Sequence, residues 1–395
     1  MLVAGLIIDP PLADPAPGWL RVEEDRIVER GQGEPPGPVD LGGSDRLITP
    51  PFVDAHLHLP QIHAIGYDGL ELLDWLDAVI YPAESRWADP EAVRADLRTG
   101  LTRLYRSGTF AFAAYLTAHA QGLDLLDAAL AELPLHGLAG QVRMDREAPE
   151  ALLHHPEAPP TPGRSDLRTA VTPRFAPACS DELLAACGRG AAPDAWVQTH
   201  LAETVAECEA VATRFPGETY AAVYDRFDLL GPRTLLGHCI HLDEASWALL
   251  AARDAVAVHC PTANAFLGAG MFDLAAARRH GVRVGLGSDV AAGADLAMPR
   301  VARAMLDTAR LRRAMVDPDA AVPTPGEAWH LITRGNASLL GLDDLGRLEP
   351  GGEASFLVLD VPFHPDGHLL GRLLYTWSDL YIVGRVLRGR LDHAS

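Results

Sequence analysis

Phe52-Val53-Asp54-Ala55-His56-Leu57-His58, with Pro60-Gln61 just behind it, is the stretch on which the fold turns. It follows Leu47-Ile48-Thr49-Pro50-Pro51, a short apolar run closed by prolines. A compact apolar run with proline at its start and polar residues at its far end reads as a strand. Side chains alternate along a strand, so His56 and His58 point the same way. Two imidazoles on one face can grip one metal ion; on a helix, residues at that spacing diverge. Neighbouring histidines are often only structural, so the other ligands must decide.

Outward from this strand the chain alternates between strands and amphipathic helical segments. Eight strand candidates occupy residues 52–57, 109–116, 135–142, 169–175, 196–201, 234–241, 256–260 and 282–286. Helical stretches such as 181–187, 205–214, 244–253 and 274–280 separate most of them. This alternation predicts a (β/α)8 TIM-type barrel over residues 49–345. A doubly wound sheet is the alternative, lowered by the lack of Gly-x-Gly-x-x-Gly after an early strand. Some fifty residues follow the first strand, room for a long loop and a helix or two. The proline-rich residues 156–163 leave the helix between the third and fourth strands short or missing. The ends differ in style. Residues 18–23 and 26–29 form a probable hairpin, and 354–359 and 380–387 read as strands. Residues 1–48 and 346–395 are therefore expected to build one small β-sandwich domain from both termini, since neither end is long enough alone.

Composition narrows the function. The 395 residues are 48% hydrophobic, ample for a large core. A net charge of −20 repels phosphate backbones and anionic lipid, so neither nucleic acid nor a membrane surface is an expected partner. The five cysteines form no Cys-x-x-Cys pair, which suits a reduced cytoplasm and no disulfide framework. The first apolar run, residues 2–8, has no basic flank and does not read as a signal peptide. No stretch approaches the roughly 18 apolar residues of a membrane span. All 33 basic residues are arginine, which removes Schiff-base chemistry, a Walker loop and a bridging carbamylated lysine.

Barrels of this type carry their chemistry at the carboxyl ends of the strands. The first candidate ends at His56 and His58, the fifth at Thr199-His200-Leu201-Ala202-Glu203, the sixth at Gly237-His238-Cys239 and the eighth at Gly287-Ser288-Asp289. Four strands thus bring His56, His58, His200, His238 and Asp289 to one rim, all of metal-ligand type. Neutral imidazoles with a carboxylate suit one Zn²⁺, or Fe²⁺. Such an ion lowers the pKa of bound water to roughly 7. The absence of lysine argues for one metal rather than a bridged pair. Glu203, three residues past His200, is the expected proton shuttle; alternatively it complements a helix dipole.

These motifs resemble the amidohydrolase superfamily and, within it, the guanine deaminase family. The resemblance also runs through Leu73-Asp74-Trp75-Leu76, Tyr81-Pro82-Ala83-Glu84, Met144-Asp145-Arg146-Glu147-Ala148-Pro149, Thr172-Pro173-Arg174-Phe175-Ala176-Pro177 and His259-Cys260-Pro261-Thr262-Ala263-Asn264. It covers most of the chain and is weakest at the two ends. It implies hydrolytic deamination of guanine to xanthine and ammonia, with one zinc ion held by His56, His58, His200, His238 and Asp289. Gln61, Arg174 and Phe175 would hold the purine, and Glu203, with His238 and Asp289, would carry the catalysis as activated water attacks C2. Phe175 can cover a ring face, and Arg174 and Gln61 can read the purine edge. A homodimer is implied by the same resemblance. Residues 59–108 would bring Trp75 and Tyr81 over the pocket mouth, either as a lid or packed on the barrel or on a second subunit. Other amino-heterocycles, such as 8-oxoguanine, a pterin or a triazine, are the alternative substrates. A metal-free scaffold on the same barrel is the alternative outside enzymes, disfavoured because all five ligands are present.

Overall fold

The computed structural model describes residues 1–9, 15–153, 167–191 and 194–393. Eight parallel strands stand in chain order around a barrel: Phe52–His58, Thr109–Tyr115, His136–Gly140, Leu167–Pro173, Trp196–Leu201, Thr234–His238, Val256–His259 and Arg283–Leu286. Each pairs in parallel with the next. The predicted strands are therefore all present, with ends shifted by a few residues. The third is broken after Gly140 and resumes as the short strand Val142–Arg143, which pairs with Leu167–Pro173. The expectation for residues 156–163 lies outside the described residues.

Burial explains why the strands read as continuous apolar runs rather than alternating ones. Every residue of Phe52–His58, Thr109–Tyr115 and Trp196–Leu201 is buried, because helices cover one face and the barrel core the other. The long helix Pro90–Arg106 illustrates the outer layer. Asp89 caps it by accepting from the Glu91 N–H, proline opens its first turn, and Val93, Leu97, Leu101 and Leu104 bury one stripe.

The first and last barrel strands are joined by other means than a regular ladder. Asp289 N donates to the His56 carbonyl at 2.8 Å, and His58 N to the Val290 carbonyl at 3.1 Å. Asp54 Oδ1 accepts from the His56 and Ser288 amides at 3.1 and 3.0 Å. Below them, the buried Asn336 side chain donates to the Val53 and Leu286 carbonyls at 2.7 and 2.8 Å and accepts from Leu286 N at 3.1 Å. This carboxamide thus supplies a backbone-like pattern where the two strands do not meet.

The two ends of the chain form one mixed sheet of seven strands, in the order Arg390–His393, Ile382–Leu387, Phe356–Leu359, Leu41–Thr49, Leu2–Ile7, Ala16–Glu23, Arg26–Gln32. The domain expected as a sandwich is thus a single hydrogen-bonded sheet, with its own core of Val3, Leu20, Ile27, Ile48, Phe356 and Val386. Two strands escaped the sequence reading. Leu41–Thr49 begins with Gly42-Gly43 and polar residues, which are poor strand formers. The glycine is required there: a Cβ on Gly42 would lie 2.1 Å from the Ala4 carbonyl oxygen, and its φ is +94°. The strand runs almost directly into Phe52, which packs edge-on between Trp329 and Trp377 at 5.5 and 5.3 Å. Arg390–His393 simply continues the last hairpin.

Candidate metal centre and active site

The strand ends converge as the spacing required. Ligand atoms of His56, His200, His238 and Asp289 lie within 4.8 Å of one another, all buried. His58 completes the cluster: its Nε2 is 3.1 Å from His200 Nε2 and 3.4 Å from Asp289 Oδ1. Asp289 Oδ1 is also 3.3 Å from His56 Nε2, and its Oδ2 is 3.7 Å from His238 Nε2. Glu203 closes the far side, with Oε2 3.4 Å from His238 Nε2.

The backbone is bent to achieve this. His238 and Asp289 both have positive φ, +69° and +51°, a strained state for residues with side chains and one that gathers at functional sites. Two glycines make room. A Cβ on Gly237 would stand 2.7 Å from His56 Cε1, and one on Gly287 2.5 Å from His56 Cβ. Tyr115, one strand over, stacks on His58 at 4.7 Å and lies 4.8 Å from His56, filling the floor of the cluster.

Do these residues fit a metal ion? His200 Nδ1 donates to the Arg174 carbonyl at 2.6 Å, which leaves a lone pair on Nε2. His238 Nδ1 donates to Asn264 Oδ1 at 2.9 Å with the same consequence. Such outer partners fix the tautomer that a ligating imidazole needs. His56 Nε2, His238 Nε2 and Glu203 Oε1 are buried with no hydrogen-bond partner. Orphaned acceptors this close together are costly unless a cation takes them. Burial first, then mutual crowding of the imidazoles and, for His58 and His200, the nearby Arg174 guanidinium, holds His56, His58 and His200 well below the usual imidazole range, so they stay neutral. Burial raises Asp289 to about 6, against the pull of His238 and Arg174. Glu203 is pushed well above its ordinary value by burial, then by Asp289 and Glu207. Two buried carboxylates that repel one another beside neutral imidazoles are what a dication would relieve. The donor set fits.

Beside the cluster opens a small cleft lined by both polar and apolar side chains. Gln61, Arg174, Phe175 and Glu203 line it together with His58, His200, His238 and Asp289, so the site residues expected from sequence share one cavity with the metal cluster. Leu72, Trp75 and Leu76, from the segment after the first strand, add apolar lining. Tyr81 is buried but does not line the cleft; its ring lies 5.3 Å from the Arg174 guanidinium.

Three contributors went unassigned in the sequence. Asn264 orients His238 and reaches His259 Nδ1 at 3.4 Å. Glu207 is buried behind Glu203, accepting from the Glu203 and Thr204 amides and from the Tyr220 hydroxyl at 2.6 Å. Glu84 meets Arg174 and Gln61. Asn264 and Glu84 lie inside motifs quoted above; Glu207 follows Thr204 as Thr-x-x-Glu, a capping-box signature, and forms one.

The chain matches the Amidohydrolase family over residues 47–391. The guanine deaminase of Escherichia coli (strain K12) is 35% identical over 333 residues, covering 81% of this chain and 74% of that one. The probable guanine deaminase of Deinococcus radiodurans is 33% identical over 328 residues, covering 79% and 73%. The solved structure of E. coli guanine deaminase superposes with a TM-score of 0.89 at 30% identity, covering 99% of both chains.

Proposed function

The chain belongs to the amidohydrolase family, and from that premise we propose that it is a guanine deaminase, hydrolysing guanine to xanthine and ammonia. The observation that carries this is the sharing of one cleft by a metal-ligand cluster, a buried unpaired carboxylate and a set of base-reading groups.

We assign His56, His58, His200, His238 and Asp289 to one divalent ion per chain, zinc by donor set, with Fe²⁺ as the alternative. When bound, such an ion makes water acidic enough to act as a nucleophile at neutral pH. Phe175 covers the flat face of the base, and Arg174 and Gln61 pair with its polar edge. Glu203 takes a proton from the attacking water and gives it to N3 of guanine as the oxygen bonds to C2. Asp289 and His238 hold that oxygen in line. Glu203 then takes the remaining hydroxyl proton and passes it to the C2 amine, which leaves as ammonia while the C2 carbonyl forms. The raised Glu203 pKa suits a group that must hold a proton between these steps. Adenine, lacking the oxo group, would leave the Arg174 donors not held by Glu84 without a partner and be rejected.

The working form we propose is a cytoplasmic homodimer. All five cysteines are free thiols, as suits a reducing compartment, and exposed apolar side chains such as Met315 and Leu380 offer a second copy surface to cover. Among the described residues no helix is long and apolar enough to cross a membrane.

The test is a spectrophotometric assay of the purified, metal-analysed protein on guanine, adenine, 8-oxoguanine, a pterin and a triazine, with ammonia release as the check. Guanine alone should be turned over rapidly. Preference for another ring would move the assignment to that substrate and question Gln61, Arg174 and Phe175 before the metal ligands.

A further inference from the structure

Glu84 is wholly buried, does not line the cleft, and has no part in the chemistry above. It lies in the short helix Tyr81–Ser85, between the first and second barrel strands. Its carboxylate accepts from Arg174 Nη1 at 2.9 Å through Oε1 and 2.7 Å through Oε2. Oε1 also accepts from Gln61 Nε2 at 2.8 Å. Both partners do line the cleft.

We propose that Glu84 is the positioning residue for base recognition, fixing the two side chains that read the substrate edge. A carboxylate only accepts hydrogen bonds. The Gln61 amide must therefore turn its nitrogen to Glu84, and its oxygen then accepts from Ala291 N at 3.3 Å. The order of donor and acceptor that Gln61 shows the cleft is thereby set. Both Glu84 contacts on Arg174 run through Nη1, so Nη2 and Nε remain for a substrate carbonyl. Tyr81 under the guanidinium holds its plane. An amide at position 84 would satisfy Gln61 in either orientation and leave the Arg174 charge buried without its counter-ion. The inference rests on the reading of this cleft as a guanine site.

The test compares wild type, E84Q, R174Q and E84Q/R174Q for metal content, kcat and KM on guanine. E84Q should keep the wild-type metal content, raise KM about 10- to 100-fold, and lower kcat less than it raises KM. In the R174Q background the same E84Q step should cost at least three times less, because groups acting through one another are not additive. Wild-type KM in E84Q, a loss falling mainly on kcat, or full multiplicativity in the double variant would overturn the proposal. If E84Q alone fails to fold, the double variant, which removes the buried charge pair whole, is compared with R174Q. A loss below about 10-fold, carried by KM, is the share expected through Gln61; a larger one overturns the proposal. A wild-type protein inert on guanine would fell the functional reading and this proposal with it, whereas active wild type with an unaffected E84Q would fell this proposal alone.

Discussion

At the scale of single residues, the site depends on groups left without partners. Glu203 Oε1 is buried and unpaired beside the cluster, and its carboxyl is raised by burial. Glu203→Gln should lower kcat by about 10²- to 10⁴-fold while bound metal, read by elemental analysis, stays at the wild-type level. Asp289→Ala should differ by losing metal as well as turnover. Gly237→Ala probes the packing around the ligands rather than the ligands themselves. Its Cβ would meet His56 Cε1 at 2.7 Å, so the variant should bind metal more weakly and lose activity in step, with the far-ultraviolet spectrum unchanged. The residues of the candidate metal cluster were legible in the sequence because strand ends carry them in recognisable motifs. Glu84 and Asn264 were present in quoted motifs yet had no role, because their partners, Gln61 and Arg174 for one and His238 for the other, are brought close only by the fold.

At the scale of elements, the barrel is legible wherever a strand is buried on both faces, since a continuous apolar run such as Thr109–Tyr115 has no other stable place. It is illegible where pairing replaces composition. Leu41–Thr49 is held at Leu41 and Gly42 by pairing with Val3 and Ala4, although after Leu41 its first half is glycine and polar residues. The seam between Phe52–His58 and Arg283–Leu286 is of the same kind, because Asn336, about fifty residues beyond the last strand, supplies its hydrogen bonds. Asn336→Ala would strip three bonds and leave buried backbone groups unpaired. It should cost about 2–4 kcal/mol in denaturant unfolding. It should also weaken metal binding, because His56 lies on one of the two strands it joins and Asp289 just past the end of the other. A loss below about 0.5 kcal/mol would show that the seam is held by its backbone bonds alone.

At the scale of the whole molecule, the terminal sheet is tied to the barrel by polar contacts as well as apolar ones. Arg385 donates to the Tyr105 and Arg106 carbonyls at 3.2 and 2.6 Å, and His136 Nε2 is 2.9 Å from Glu353 Oε2. Burial alone would raise the Glu353 carboxyl, but hydrogen bonds from His136 and Ser355 and the nearby Arg388 hold it below its ordinary 4.5. A depressed carboxyl stabilises the fold above its unfolded value and loses that contribution as the pH falls through the folded one. Tm should therefore decline below about pH 4.5, and Glu353→Gln should flatten that decline; an unchanged slope would remove this pair from the account. The central claim is that this chain deaminates guanine in a cleft beside a cluster that would hold one divalent ion, and its most direct test is a metal titration of activity. The protein is stripped by chelation, Zn²⁺ is returned stepwise, and conversion of guanine to xanthine is followed. The account predicts no turnover without metal and a linear rise to a plateau at one equivalent per chain. Full turnover by stripped protein, or an inert protein at full occupancy, would contradict it.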